Sequence, residues 1–277
     1  MSENTLSQAF VSEGGNSMAK ESSNGNEGSS AGYDGEVHLI LQGKGGVGKS
    51  VIASWLAEFL ISRGRQVRCI DGDPVNRSLS QYKFLAVENL DLVNEDGLIQ
   101  RWRYDSLVER FLTSADVFVV DSGATAFLPF WTYIVESEMI RVLREAGRKV
   151  YLHVPVTGGE TLNDTLLGFS AVASAITDRS IIVWLNEYFG PVTHGGKRFE
   201  EMQVYSDNRD KILTSVALPQ RSPDTYGRTI RTMREKKLTF DEAINSPEFM
   251  LVQRSRLHLV RRDLFEQLEN TPFAGAR

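Results

Sequence analysis

Eight consecutive residues constrain this 277-residue chain more than anything else in it: Gly43-Lys44-Gly45-Gly46-Val47-Gly48-Lys49-Ser50. They fit G-x-x-x-x-G-K-[ST] at each fixed position. Glycines at this spacing let the backbone curl so that successive N–H groups point inward at phosphate oxygens. A helix opening at the end of such a loop adds free amides and a positive dipole end. Lys49 is placed to reach the β and γ phosphates, and Ser50 offers a hydroxyl to Mg²⁺. Val51 follows at the start of the helix and completes the nucleotide-contacting run. The flanking residues supply the required context. Val37-His38-Leu39-Ile40-Leu41 is a short apolar run that reads as a buried strand. Val51, Ile52, Trp55, Leu56, Phe59 and Leu60 recur at helical spacing after the loop.

The strand-helix alternation continues along the chain. Val67-Arg68-Cys69-Ile70 is a second strand running into Asp71, and strand, helix, strand at this spacing is a βαβ unit with parallel strands. Further strands are expected at 117–120, 150–154, 181–185 and 212–216, with helices over 126–146 and 161–176. A last helix is expected from the Ser246-Pro247 pair to about Leu268, striped by Leu257, Val260, Leu264 and Leu268. The pattern predicts an α/β, doubly wound, mostly parallel sheet with helices on both faces, in a single domain over residues 36–277. Residues 1–35 hold 22 Ser, Asn, Gly or Glu, too little apolar surface to offset ordering, and are read as a disordered tail.

Charge and composition exclude several classes. The net charge is −5, of which the first 35 residues carry −4 (four Glu and one Asp against Lys20), so the body is near neutral. Residues 221–262 hold ten Lys or Arg and five Asp or Glu, which allows a basic face toward the C-terminus. A single cysteine, Cys69, excludes an internal disulfide framework and a multi-cysteine zinc or iron–sulfur site. No apolar run approaches the ~18 residues of a membrane span, and no secretory signal is visible, so a cytoplasmic protein is expected. His38, His153, His194 and His258 have no ligand spacing and read as structural.

Three carboxylates stand at the ends of two predicted strands. Asp71 and Asp73 follow the second strand in Ile70-Asp71-Gly72-Asp73-Pro74, and Asp121 ends Val117-Phe118-Val119-Val120. Ligands of open α/β sheets lie outside the carboxyl ends of strands, so these groups fall beside the phosphate loop. Asp121 there is suited to hold Mg²⁺ through water and to accept from Ser50. Asn186 ends the strand at 181–185, where an amide can match adenine's paired donor and acceptor, or simply begin a turn. No N-K-x-D guanine motif is present, which favours ATP over GTP.

With Lys44 as a second lysine inside the loop, Lys44-Gly-Gly-Val-Gly-Lys49-Ser50 resembles the deviant Walker A ATPases of the ParA and MinD type. The resemblance implies a homodimer formed on ATP, with Lys44 crossing to the partner's nucleotide. It implies that Asp73 orients the attacking water, that Asp71 supports the Mg²⁺ shell and loop geometry, and that Asn186 binds the adenine edge. Many relatives carry a proline in the loop where this chain has Gly123 or Ala124. Ile70-Asp-Gly-Asp-Pro-Val75-Asn76, Val156-Thr-Gly-Gly159, Val183-Trp-Leu-Asn186 and Arg261-Arg-Asp-Leu-Phe-Glu-Gln-Leu268 further resemble the TraL proteins of plasmid conjugal transfer. That resemblance covers about residues 36–268 and implies a slow ATPase switch with a relaxosome or secretion partner. A partition ATPase and a non-catalytic nucleotide-binding scaffold stay open beside it. Family members bind DNA through C-terminal basic residues, which here would be Arg254, Arg256, Arg261 and Arg262, beside a row at Arg228, Arg231 and Arg234. Residues 271–277 do not read as an amphipathic membrane anchor. The aromatic and glycine-rich stretch 186–200 reads as a surface loop, a lid or a partner site.

Overall fold

The computed structural model describes residues 35–275, so all of the predicted tail except Gly35 lies outside the described residues. In chain order the elements are β1 Glu36–Ile40, α1 Lys49–Ser62, β2 Val67–Asp71, β3 Glu88–Asn89, α2 Asp105–Thr113, β4 Val117–Asp121, α3 Phe127–Glu136, α4 Met139–Glu145 and β5 Lys149–Thr157. There follow α5 Leu162–Ser174, β6 Ile181–Asn186, β7 Thr193–His194, β8 Lys197–Arg198, α6 Gln203–Ser206, β9 Ile212–Leu218, α7 Arg228–Glu235, α8 Phe240–Asn245 and α9 Leu251–Leu268. Seven strands form one sheet in the order β3-β2-β4-β1-β5-β6-β9, with every pairing parallel. This is the doubly wound α/β fold expected from the alternation.

Alternation along each strand divides the apolar residues between two cores. Val37 and Leu39 of β1, Phe118 and Val120 of β4 and Val150, Leu152 and Val154 of β5 pack with α2 to α5. Ile40, Val119, Tyr151, Ile182 and Trp184 pack on the other face with α1, α8 and α9. Both faces are covered, which is why the strands read as nearly unbroken apolar runs. The connection from β1 runs to β2 on one side and that from the adjacent β4 runs to β5 on the other, so a crevice opens at the carboxyl ends of β1 and β4.

Three boundaries differ from the sequence expectation. The helix expected over 126–146 is two helices, because Glu138 adopts φ 49 and breaks the ladder between α3 and α4. The last helix starts at Leu251, not at Ser246-Pro247; Ser246 closes α8, and its hydroxyl accepts from the Glu248 amide in a turn. β3 is a two-residue edge strand, too short to leave a periodic signal.

Two histidines that are remote in sequence meet inside the sheet's helix-covered face. Trp184 Nε1–H can only donate, so it fixes His153 Nδ1 as the acceptor at 2.9 Å. His153 Nε2–H then donates to His38 Nδ1 at 2.9 Å, and His38 Nε2–H donates to the Glu36 carboxylate at 3.4 Å. Arg65 balances that carboxylate at 3.2 Å, and Phe273 packs its ring edge-on against His38. Burial holds the pKa of both imidazoles below the usual histidine range. On the same face Glu58 of α1 accepts from the Phe240 and Asp241 amides, both at 2.8 Å, and so ties α1 to the start of α8. Burial pushes the Glu58 carboxyl up to about 7.

Candidate nucleotide-binding site

β1 delivers the chain to the phosphate loop through Gln42, a residue to which sequence reasoning gave no site role. Its side chain is buried and uses both ends of the amide. Nε2 donates to the carbonyls of Pro155 (2.9 Å) and Thr165 (3.1 Å), and Oε1 accepts from the Gly43 and Lys44 amides at 2.9 and 3.5 Å. A polar residue closing an otherwise apolar strand is the signal that could have singled it out. Gly46 and Gly48 then take φ values of 79 and 96, in the left-handed region where a side chain is strained. α1 begins at Lys49 with no side-chain cap, so its first amides are directed at the loop's interior without an internal partner from a capping side chain.

Five charged or hydroxylic side chains, those of Lys49, Ser50, Asp71, Asp73 and Asp121, converge here. Lys49 is buried, and its Nζ donates to the Lys44 carbonyl at 3.0 Å. Desolvation lowers its pKa, with Asp121 and Asp73 nearby pulling the other way. Burial pushes the Asp121 carboxyl up to about 6, opposed by the Ser50 hydroxyl bonded to it and by Lys49. Asp71 and Asp121 are register partners at the ends of the adjacent strands β2 and β4. Asp71 spends its oxygens locally, on the Asp73 amide (3.0 Å) and on the Ser80 amide and hydroxyl (3.0 and 3.1 Å). Asp73 accepts from the Val75 and Asn76 amides at 2.9 and 3.0 Å. Among the described residues no three His, Cys, Asp or Glu side chains converge as a protein-only metal cage. One hydroxyl and one carboxylate, Ser50 and Asp121, instead fit Mg²⁺ in the manner of nucleotide sites, where phosphate oxygens and water complete the shell.

Beside the loop opens a cleft of about 270 Å³, near the low end for small-ligand sites. Val51, Ile52 and Trp55 of α1 form one wall, and Ala217 and Leu218 at the end of β9 with Pro219 just after it form another. Asn186 stands at the junction of loop and cleft. Its Nδ2 donates to the Val47 carbonyl (3.1 Å), and its Oδ1 accepts from the Tyr188 amide (3.1 Å). One amide proton and one lone pair are left for a base. Residues 38–275 match the model for the CobQ/CobB/MinD/ParA nucleotide-binding domain. An *Escherichia coli* protein named Protein TraL is 40% identical over 235 residues, which are 84% of this chain and 97% of that one. The chain belongs to the TraL family, within the CobQ/CobB/MinD/ParA nucleotide-binding domains. A second *E. coli* protein of the same name is 37% identical over 236 residues, 85% of this chain and 98% of that one. A chain of the MinC:MinD cell division protein complex from Aquifex aeolicus shares the fold, with a TM-score of 0.51, 15% identity and coverage of 87% of this chain and 99% of that one.

Within this TraL-family chain Lys44 is held on its own subunit, its Nζ 2.7 Å from Asp164 of α5, with both side chains about half exposed. The arginines expected to contact DNA divide into two sets. On α9, Arg261 pairs with Asp241 at 3.4 Å and Arg262 with Asp263 at 2.8 Å; Arg254 donates to the Phe249 carbonyl, and Arg256 lies over the Tyr226 ring. On α7, Arg228, Arg231 and Arg234 form no ion pair among the described residues. The stretch 186–200 is a short turn followed by the β7–β8 hairpin, whose feet, Val192 and Phe199, are buried in the core.

Proposed function

We propose that this chain is an ATP-binding and ATP-hydrolysing dimerisation switch that serves conjugative plasmid DNA transfer from the cytoplasm. The convergence of Lys49, Ser50 and Asp121 at the start of α1, beside an apolar cleft, carries this reading. The amides of Gly43–Ser50 and Val51 would cradle the phosphates, Lys49 would neutralise the β and γ charge, and Ser50 and Asp121 would hold Mg²⁺. Asp71 would keep the loop after β2 in place through its bonds to the Asp73 and Ser80 amides. Asp73 would position the attacking water once its carboxylate turns from the Val75 and Asn76 amides. Lys44 would leave Asp164 and reach the nucleotide of a second copy. The conjugative role, and a relaxosome or secretion partner, rest on similarity to TraL.

Self-association and ATP turnover of the full chain, compared with Lys44→Ala, Lys49→Ala and Asp73→Ala, test the reading. Dimers that form only with ATP, vanish in Lys44→Ala and persist in Asp73→Ala support it. A wild-type protein that binds ATP yet stays monomeric and does not turn over sinks it. That result would favour a nucleotide-binding scaffold, a reading to which the engaged carboxylate of Asp73 lends some weight.

A further inference from the structure

Among the described residues, Arg228, Arg231 and Arg234 of α7 form no ion pair, although Glu235 of the same helix acts on Arg231 from a distance. Arg228, Arg231 and Arg234 recur every three residues and so share one helix face. Most arginines around them are neutralised; Arg221, for example, sits 2.7 Å from Asp263. The α7 row instead abuts two aromatic residues. Arg231 donates to the Tyr188 hydroxyl at 3.4 Å, and the Arg234 guanidinium lies 5.6 Å from the Tyr188 ring centroid. Phe189 packs edge-on against Tyr188 at 4.9 Å and remains 52% exposed. An exposed aromatic ring beside arginines that form no ion pair combines a stacking face with positive charge.

We infer that Phe189 and Tyr188 with Arg228, Arg231 and Arg234 form a binding surface for single-stranded nucleic acid. The arginines meet successive phosphates and Phe189 offers a ring face to an unpaired base. A duplex keeps its bases stacked inside and would leave Phe189 unused. An acidic peptide would satisfy the arginines and likewise leave the ring bare. The surface adds to the proposed switch and does not depend on hydrolysis. It shares Tyr188, Phe189, Arg231 and Arg234 with the rim of the nucleotide cleft, so strand and nucleotide occupancy are coupled.

Fluorescence anisotropy of a labelled oligothymidylate with the full chain, without nucleotide and over a range of salt, tests the inference. Binding is expected, with a salt slope that becomes shallower by about 0.7 for each of Arg228→Ala and Arg231→Ala. Phe189→Ala should weaken binding about five-fold or more, and Arg262→Ala should leave it unchanged. No binding at low salt, equal binding of a duplex, equal displacement by polyglutamate, or loss confined to Arg262→Ala would each overturn the inference. ATP binding measured on the same proteins separates the two readings. Arg228→Ala lies outside the cleft and retains ATP binding. A wild-type chain that binds the oligonucleotide but not ATP sinks the proposed switch and leaves the strand surface standing.

Discussion

Gly123 and Asp73 approach each other so closely that a Cβ on the glycine would sit 2.6 Å from the Asp73 Cβ and 2.8 Å from its Cα. The loop after β4 and the loop after β2 are therefore in direct contact, the Asp73 side chain packing against the bare Gly123 backbone. Gly123 also holds φ 66, which a proline, fixed near about −65°, cannot adopt. A proline, which many ParA-type relatives carry where this chain has Gly123 or Ala124, could not stand at Gly123 with this backbone.

Gly123→Ala should push the two loops apart. The added methyl group meets Asp73, and the left-handed backbone adds strain, for a combined stability loss of about 1–3 kcal/mol. ATP turnover should fall about ten-fold or more, with nucleotide affinity held within about three-fold, since the loop Gly43–Ser50 is untouched. Thermal melts, single-turnover hydrolysis and nucleotide titration read these separately. Unchanged turnover would show that the contact does not position Asp73.

Asp164→Asn frees Lys44 from its intrasubunit pair. That pair is half exposed, so the fold should lose no more than about 1 kcal/mol. ATP-driven self-association should strengthen, because Lys44 no longer has to leave a local carboxylate before reaching a second subunit. Sedimentation with and without ATP is the measurement. A variant that dimerises less than wild type would assign Asp164 a role within the dimer.

The Asp121 carboxyl, raised from 3.8 to about 6, sets a pH window for metal-dependent binding. Its folded pKa exceeds its unfolded one, so the charge destabilises the ligand-free fold, fully above the folded value and not at all below the unfolded value. Mg²⁺ requires the ionised form. Mg²⁺-dependent nucleotide affinity should therefore fall about ten-fold per unit as the pH drops below about 6. Asp121→Asn should flatten this dependence and lose most of the Mg²⁺ effect, while the ligand-free protein melts no lower than wild type at neutral pH. A wild-type affinity that is flat down to pH of about 5 would contradict the assignment.

His38 and His153 predict an acid-sensitive core. Both have folded pKa values depressed from 6.5, so the unfolded chain takes up protons first as the pH falls through 6.5, and stability is lost there. Glu58 and Asp121 act in the opposite sense, because their raised values let the folded state hold protons that the unfolded state has released. The difference between wild type and His153→Leu isolates the histidine contribution. The variant should be less stable by about 1–3 kcal/mol at neutral pH, because Trp184 Nε1–H and His38 lose their partners. The gap should narrow below pH of about 6.5. A gap constant with pH, followed by chemical denaturation, would mean that His153 does not titrate on unfolding.

The phosphate loop and the parallel, doubly wound character of the sheet were legible because each rests on local rules. Glycine spacing, a strand before and a helix after fix the first. Apolar runs separated by helical periods fix the second. The break at Glu138 left no such mark, since its left-handed backbone interrupts an otherwise continuous helical pattern. Gln42 was passed over because its four hydrogen bonds go to residues either adjacent or more than a hundred positions away. The same holds for the meeting of His38 with His153, which depends on β1 and β5 being neighbours. The basic stretch near the C-terminus was visible as a local charge excess. Which of its arginines form ion pairs, Arg261 and Arg262 of α9 but none of the three on α7 among the described residues, required the fold.

Trp55 gives the cleft an optical consequence. Its indole forms part of the wall, is only 6% exposed, and lies against Phe240 at 5.1 Å between ring centroids. Its emission is therefore poised to change when a base displaces water from that wall. Trp102, Trp131 and Trp184 do not line the cleft and supply the background. The protein carries a built-in fluorophore for nucleotide occupancy, readable without a label and before any phosphate is released.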